Sequence, residues 1–197
     1  ELPIYAGSLG ILAGDILKSA HDLHVPLVGI GILWQEGYTS QFINEHGWPY
    51  DRPSSYAPDL LEDTGVTVHV TIRGDDVPVR VWKVDSFQNA PLYLLDTAVP
   101  GSSYDWVTRR LYGGTSHDRV AQEIVLGIGG IRALEALGHT ADVYHFNEGH
   151  AVLAGIELIR RKKAMGMSFQ EALEATRREV VFTTHTPVMA GNEEQDL

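Results

Sequence analysis

The segment from residue 142 to residue 184 constrains the fold most, because two short apolar strands are predicted there with two helices between them. The first strand is "DVYHF" at 142–146, and the second begins the segment "EVVFTTHTP" and is predicted to end at Thr183 or Thr184. The helices run from about His150 to Met165 and from Ser168 to about Arg178. Strands joined through helices pair in parallel, nearly always with a right-handed crossover. The sequence therefore predicts an α/β fold.

The N-terminal half of the chain adds a helix and a strand to this pattern. Ile16 and Ala20 recur at helical spacing in a helix predicted from Ala13 to His24, and residues 25–33 form a nearly continuous apolar run, typical of a strand covered on both faces. Residues 34–58 are irregular and contain two internal prolines, which predicts a hairpin followed by a loop.

A β-hairpin insertion is predicted between residues 66 and 84. "VTVHVTI" and "VPVRVWKV" each alternate apolar and polar residues on either side of "RGDD", as strands with one buried face do. Residues 90–97 predict a further strand, and the apolar spacing from Asp118 to a C-cap at Gly138 predicts a long helix. Within that helix, "GIGG" at 127–130 favours close helix packing over ligand binding.

Composition excludes several classes of function. The net charge of −11, from 15 basic and 26 acidic residues, disfavours nucleic-acid binding, which depends on basic side chains. The mixed charges of "RRKK" at 160–163 beside Glu157 predict a solvated helix face rather than a polyanion site. The chain has no cysteine, so disulfides and thiolate metal sites are excluded, and we expect no metal of another kind. No apolar run approaches the ~20 residues of a membrane span, so we expect a soluble, cytoplasmic protein.

Three segments rich in small or polar residues are candidate ligand loops, and the first is "YAGSLGILAGD" at 5–15. Gly7, Ser8 and Gly10 precede the predicted helix, and backbone amides at a helix N-terminus favour a negatively charged ligand. A short glycine-rich turn before a helix is also often only a turn, and this one matches neither the dinucleotide fingerprint nor the P-loop.

The second segment is "YHFNEGHA" at 144–151, where a strand ends and a helix begins. Open α/β sheets bind ligands at such strand ends, so Asn147 and Glu148 could hydrogen-bond a polyol. Alternatively, Asn147 caps the helix and Glu148 interacts with its dipole, while His145 and His150 are structural.

The third segment is "VVFTTHTP" at 180–187, in which a strand leads to His185 at its carboxyl end. A single histidine is more often structural, yet polar clusters at strand ends frequently bind ligands. Because the carboxyl ends of parallel strands meet at the same edge of a sheet, we expect the three segments to face one crevice.

Together these segments resemble blocks of the α-glucan phosphorylases, the glycogen, starch and maltodextrin phosphorylase family, and most of all its compact prokaryotic branch. The matching blocks are residues 1–41, "YGGTSHDRVAQEIVLGIGGIRALEALG", "FNEGHAVLAGIELIR" and "VFTTHTPVMAG". They follow the family order and extend over nearly the whole chain. The hairpin region between 59 and 90 carries the least of the resemblance.

The resemblance implies an enzyme that cleaves terminal α-1,4-glucosidic bonds of a glucan or maltodextrin with inorganic phosphate and releases glucose 1-phosphate. The family fold has two Rossmann-like domains facing each other, as in GT-B glycosyltransferases. We expect residues 1–197 to form a single α/β domain, part of the N-terminal, glucan-side domain. The family cofactor, pyridoxal 5'-phosphate, is bound by a lysine of the C-terminal domain, which we expect to be absent here. The chain also begins without methionine, so we expect an inactive fragment of a longer enzyme that could be a homo-oligomer.

The same resemblance implies roles for individual residues. Gly7, Ser8, Leu9 and Gly10 correspond to the family glycine loop, whose amides approach the substrate phosphate and glucosyl group. His185 corresponds to the family histidine that contacts the donor glucose, and we assign it as catalytic. A weaker substrate-binding group lies on the second segment and consists of Asn147, Glu148 and His150.

The sequence departs from the family pattern at two places. The family usually has Gly-Gly-Leu-Gly where this chain has Gly7-Ser8-Leu9-Gly10, so the Ser8 hydroxyl could donate a hydrogen bond to phosphate or could hinder its approach. Thr115 replaces the more usual acidic residue after Gly-Gly. Two alternatives therefore remain open: a nucleotide-sugar glucosyltransferase resembling glycogen synthase, and a non-catalytic glucan-binding module.

Overall fold

The computed structural model describes residues 2, 7–37, 39–54, 58–111 and 113–185, without the side chains of residues 7–9, 53 and 58. The chain divides into two compact units, which are described separately. The first consists of Glu1–Val68 and Val77–Gly113, and the second of His69–Asp76 and Gly114–Leu197. The prediction of one domain over 1–197 stays a prediction.

The first unit contains helix α1 (Gly7–Asp22) and most of a four-stranded sheet, of which the hairpin tip His69–Asp76 belongs to the second unit. The strands of this sheet are β1 (Gly29–Ile32), β4 (Glu62–Ile72), β5 (Asp75–Val84) and β6 (Leu92–Asp96), in the order β1-β6-β5-β4. β1 runs parallel to β6, and β6 runs antiparallel to β5. A separate hairpin is formed by β2 (Thr39–Ile43) and β3 (Pro49–Pro53). Short 3₁₀ turns occupy Pro58–Leu60 and Asp105–Thr108.

Both predicted hairpins are confirmed, and each turn has a local cause. In the β2–β3 turn the Asn44 side chain accepts hydrogen bonds from the backbone N–H groups of His46 and Trp48. The β4–β5 turn places Arg73 and Gly74 at positive φ, which matches the right-handed twist of the two strands. The alternation predicted for these strands buries one face, whose fully buried members include Val70, Val77, Val79 and Val81.

Helix α1 begins six residues before the predicted start at Ala13, so the loop conformation expected for Gly7, Ser8, Leu9 and Gly10 is wrong. A helical glycine costs only about 1 kcal/mol, which does not stop a helix of 16 residues from beginning at Gly7. The four residues form the first turn of the helix instead. Backbone N–H groups of a first turn have no partner within the helix.

The second unit contains the predicted parallel crossover. β7 (Tyr144–Asn147) and β8 (Val180–Thr183) pair in parallel, and α4 (Leu153–Ala164) and α5 (Phe169–Glu179) lie between them in the chain. A 3₁₀ turn at Gly149–Ala151 separates β7 from α4.

A hydrophobic core and helix caps stabilise this crossover. Ile131, Phe146, Ala154 and Leu158 form a buried cluster, against which Tyr144 and Val180 pack. Ser168 caps α5 in the predicted capping box with Glu171. Because the hydrogen bonds from Ser168 to the Glu171 carboxylate favour its charged form, they lower the pKa of this group.

The predicted long helix is confirmed but contains an irregularity. It consists of α2 (Ser116–Glu123), a π-helical segment (Ile124–Gly129) and α3 (Gly130–Ala136), and Gly138 beyond it has the positive φ of a C-cap glycine. The first three residues of "GIGG" lie in the π-helical segment, where Gly127 is buried against the backbone of α4. The packing interpretation of this motif is therefore confirmed. Among the described residues, no helix is long and apolar enough to cross a membrane.

Glu157 is the main departure from the predicted pattern in this unit. The sequence placed it on a solvated face of α4, but its side chain is only 2% exposed. Arg160 contacts both carboxylate oxygens at 2.7 Å, and Arg132 of α3 contacts them at 3.1 and 3.3 Å. Burial alone would raise the pKa of this carboxyl group, but the hydrogen bonds from the two arginines outweigh that effect and lower it.

We expect Glu157→Gln to destabilise the second unit by about 3 kcal/mol, because it leaves cations without their buried partner. The measurement is urea unfolding followed by helical circular dichroism. Glu174→Gln is the control, since Glu174 is exposed on α5 and pairs with Arg177 only at 3.9 Å; it should change stability by less than about 0.5 kcal/mol. Equal effects of the two substitutions would contradict the role given to Glu157.

The lowered pKa also predicts a pH dependence. A carboxyl group whose folded-state pKa is depressed contributes stability above its unfolded pKa of about 4.3, and that contribution is lost as pH falls through the folded value. Wild-type stability should therefore decline below about pH 4 more steeply than that of Glu157→Gln. Parallel pH profiles would argue against this assignment.

Candidate functional site

The candidate site is built on the ends of β7 and β8. The two strands pair in parallel with Asn147 opposite Thr183, so the residues that follow them emerge side by side. Glu148 N–H donates to the Thr183 carbonyl over 2.8 Å, which continues the strand pairing by one residue. The second and third predicted segments thus meet at one edge, as the sequence indicated.

The Glu148 carboxylate holds the segment that follows β8. One of its oxygens accepts a hydrogen bond from the backbone N–H of His185, and the other accepts from the Thr184 hydroxyl over 3.2 Å. Both oxygens are therefore engaged by the neighbouring segment. The substrate contact predicted for Glu148 stays a prediction, and what its contacts show is that it fixes the course of the chain at His185.

Asn147 orients the His185 ring. Its side-chain oxygen lies 2.9 Å from His185 Nε2, so a neutral ring in this arrangement carries its proton on Nε2 and donates it to Asn147. The Nδ1 atom then has a lone pair that can accept a hydrogen bond. At the strand ends themselves, His145 Nε2 lies 2.7 Å from the Thr183 hydroxyl.

Glu148 adopts an unusual backbone conformation. Its φ of 63° and ψ of −177° fall in a region that is nearly restricted to glycine and costs about 1–3 kcal/mol for other residues. Such conformations persist where surrounding contacts enforce them, and they cluster at functional sites. Here the enforcing contacts include the strand-like bond to Thr183 and the two bonds of the carboxylate.

The alternative role considered for Asn147, as the cap of the following helix, is wrong. α4 begins at Leu153 with Val152 as its N-cap, and the 3₁₀ turn Gly149–Ala151 lies between Asn147 and the helix. His150 is exposed within that turn. Its predicted substrate contact stays a prediction.

The glycine segment belongs to the first compact unit, in the first turn of α1. Its approach to the strand ends of the second unit, predicted for Gly7, Ser8, Leu9 and Gly10, stays a prediction. Within the described residues, no group of three or more histidine, aspartate or glutamate side chains is arranged to hold a metal ion.

The lysines of the chain do not suit covalent binding of an aldehyde cofactor, which needs a shielded amine that can lose its proton. Hydrogen bonding to Asp85 raises the pKa of Lys83, and Lys162 lies 2.6 Å from Glu179. Lys18 and Lys163 are exposed. A pyridoxal phosphate would have to be held by residues outside this chain.

Comparison with known proteins shows which proteins the chain is similar to. Over 96% of its length the chain is 44% identical to glycogen phosphorylase of Mycobacterium tuberculosis, and over 98% it is 40% identical to maltodextrin phosphorylase of Thermococcus litoralis. This chain is a homologue of the α-glucan phosphorylases. It spans only about a quarter of the length of these relatives, 24% of each. The family resemblance inferred from the sequence is thereby confirmed, although no family model matches the chain.

A further phosphorylase relative and a solved structure agree with this assignment. Glycogen phosphorylase of Aquifex aeolicus is 36% identical over 95% of the chain, and the match spans 28% of the length of that relative. The catalytic domain of starch synthase IV from Arabidopsis thaliana, solved with ADP and acarbose, superimposes with a TM-score of 0.56 over 92% of the chain and 31% of that domain. At 15% identity this likeness shows the fold alone, and it confirms a partial GT-B domain of the Rossmann-like type.

The hydrogen bonds that join the side chains of the candidate site could not be read from the sequence. Asn147, Glu148 and His185 were predicted as site residues because open α/β sheets bind ligands at the carboxyl ends of their strands. That Glu148 binds a backbone N–H of the neighbouring segment depends on side-chain directions, for which the sequence carries no signal. Thr184 was noted only as one member of a polar cluster, yet its hydroxyl completes the carboxylate contacts.

The strained backbone predicts an unusual ranking of substitutions at Glu148. Both Glu148→Ala and Glu148→Gly remove the carboxylate, but only glycine relieves the positive φ, so the glycine variant should be more stable by about 1–3 kcal/mol. Urea unfolding of the two variants gives the difference. At Glu174, on the exposed face of α5, the order should reverse, because glycine costs about 0.5–1 kcal/mol relative to alanine within a helix. The same order at both positions would show that Glu148 is not strained.

Proposed function

We propose that this chain forms the glucan-side part of a longer α-glucan phosphorylase. That enzyme would transfer the terminal glucosyl group of an α-1,4-glucan or maltodextrin to inorganic phosphate. The bond between C1 and the oxygen of the next glucose breaks, a bond from C1 to a phosphate oxygen forms, and a proton that comes at net from the phosphate passes to the departing sugar oxygen, which becomes a hydroxyl group. The supporting observation is the network that joins Asn147, Glu148 and His185 in a chain homologous to phosphorylases.

The proposed role of His185 is to hydrogen-bond the donor glucose. A sugar offers hydroxyl groups that both donate and accept, and a neutral imidazole fixed in one tautomer is selective for one of these arrangements. Because Asn147 Oδ1 contacts Nε2, Nδ1 is the ring atom suited to accept from a sugar hydroxyl. The ring is thus oriented before substrate arrives, which lowers the entropy cost of binding.

The proposed role of the α1 N-terminus is to bind the phosphate and the glucosyl group. Backbone N–H groups in the first turn, from Gly7 to Gly10, favour negative charge there. A phosphate dianion near C1 would in turn stabilise the positive charge that develops on the glucosyl group.

Pyridoxal phosphate is the proposed cofactor of the whole enzyme, and its phosphate group would supply acid–base chemistry when bound. The lysine that holds it would lie outside these residues, since the lysines described here are exposed or paired with carboxylates. The chain alone should therefore not cleave glucan. A cytoplasmic location and the assembly of several copies stay predictions.

The first test is the activity of the full-length protein that contains this chain. We expect glucose 1-phosphate from maltodextrin and inorganic phosphate, together with the absorbance of bound pyridoxal phosphate. Glucosyl transfer from ADP-glucose without phosphorolysis would instead identify a nucleotide-sugar glucosyltransferase. Glucan binding without either reaction would identify a non-catalytic module.

In that full-length protein, His185→Ala should lower kcat/KM for phosphorolysis by about 100-fold or more, because the glucose loses a preorganised partner. The fold should be retained, since the backbone N–H of residue 185 still donates to Glu148. His46→Ala is the matched control, because His46 is exposed in the β2–β3 turn. Near-normal phosphorolysis by the His185 variant would rule out its role in substrate binding.

A further inference from the structure

The π-helical segment Ile124–Gly129 contacts the start of α4, a few residues after Glu148 in the chain. A Cβ atom at Gly127 would lie 2.6 Å from the Ala154 backbone nitrogen and 2.9 Å from the Leu153 carbonyl carbon. Real Cβ atoms essentially never come within 3.0 Å of other heavy atoms, and backbone atoms cannot rotate away as a side-chain end can. Only glycine therefore fits at this position without a shift of α4.

The atoms that Gly127 contacts belong to the first turn of α4, which is linked rigidly to the site. Val152 N–H donates to Gly149 O and Gly155 N–H donates to Val152 O, each over 3.0 Å, so the 3₁₀ turn and the helix form one hydrogen-bonded run. That run begins one residue after Glu148. A displacement at Leu153 would therefore be transmitted along the run towards Glu148.

Glu148 is sensitive to such a displacement. Its strained backbone persists only while the surrounding contacts enforce it, and its carboxylate holds both Thr184 and the His185 backbone. Wide helical turns of the π type are found frequently at functional sites. The buried glycine in this turn has no role of its own in the phosphorylase chemistry proposed above.

We propose that Gly127 is a positioning residue for the candidate site: because it has no side chain, the π-helical segment contacts the backbone at the start of α4 and fixes the segment 147–151. Gly127 touches neither substrate nor cofactor and acts through Glu148 on His185. The inference rests on the proposed phosphorylase function only for its kinetic test, and a second measurement is independent of that function.

The test compares two glycine-to-alanine substitutions in the full-length holoenzyme. Gly127→Ala should lower kcat/KM for phosphorolysis by about 10- to 100-fold, as displacements of up to ~1 Å near a reaction centre do. Gly155→Ala is the matched control: it lies in the same α4 run, and its Cβ would meet only Phe146 Cε2, at 3.9 Å. That variant should keep normal kinetics. Normal kinetics for Gly127→Ala, or an equal loss in both variants, would overturn the proposal.

A double-variant comparison separates positioning from general loss of structure. If Gly127 acts through Glu148, combining Gly127→Ala with Glu148→Gln should reduce kcat/KM by less than the product of the two single effects. Independent, multiplicative effects would overturn the proposal. If Gly127→Ala alone does not fold, it is placed in the Gly155→Ala background, where alanine favours the helix. Failure to fold there as well would show that Gly127 serves only the fold.

Hydrogen exchange gives the readout that needs no activity. The His185 amide is protected by Glu148, so peptides that contain residues 183–185 should exchange at least about 10-fold faster in Gly127→Ala than in wild type or Gly155→Ala. Unchanged exchange would overturn the inference. If exchange changes but the wild-type protein shows no phosphorolysis, the positioning role stands and the proposed function fails.

Discussion

A carboxylate that is almost fully buried has to be matched by cations, and at Glu157 arginines from two helices supply them. Arg132 also donates from its guanidinium to the His69 carbonyl over 2.6 Å, so the same side chain joins α3, α4 and the tip of the β4–β5 hairpin. Forked contacts of this kind restrict both distance and angle. α4, which follows the candidate site, is thus placed by the polar cluster around Glu157 and by the apolar cluster that contains Phe146.

The site itself is a short extension of the parallel pair β7–β8. Strand pairing continues to Glu148, and the chain then turns sharply into the 3₁₀ turn at a residue whose backbone conformation suits glycine. A glutamate is retained there at the expense of stability. The two hydrogen bonds that its carboxylate accepts join the segment after β7 to the segment after β8, and they require a glutamate at this strained position.

Most of the helices and strands, and the place of the candidate site, could be predicted from the sequence. The first follow from apolar periodicity, and the second from the preference of ligands for the carboxyl ends of parallel strands. The parallel pairing of 144–147 with 180–183 and the proximity of Asn147, Glu148 and His185 followed from those two arguments. The start of α1 was misplaced because Gly7 and Gly10 are usual loop residues. A glycine in a helix costs only about 1 kcal/mol, so the preference of these two residues for loops did not set the start of the helix.

Other features could not be predicted, for physical reasons. A π-helical turn adds one residue to a helix without removing its apolar spacing, so the widening at Gly127 is hidden in a normal pattern. Glu157 lies among charged residues that usually mark a solvated face, and only the position of Arg132, 25 residues away, shows that the carboxylate is buried. Such facts depend on long-range packing.

The bond from Glu148 to the backbone of His185 has a consequence for how this site could change. Every amino acid except proline carries that N–H group, so the contact persists whatever side chain stands at 185. The path of the backbone at residue 185 therefore does not depend on which side chain that residue carries. The side chain at residue 185 can be replaced while the hydrogen bond from its backbone N–H to Glu148 is kept. Residue 185 is therefore a position at which ligand specificity can change without loss of the local backbone structure.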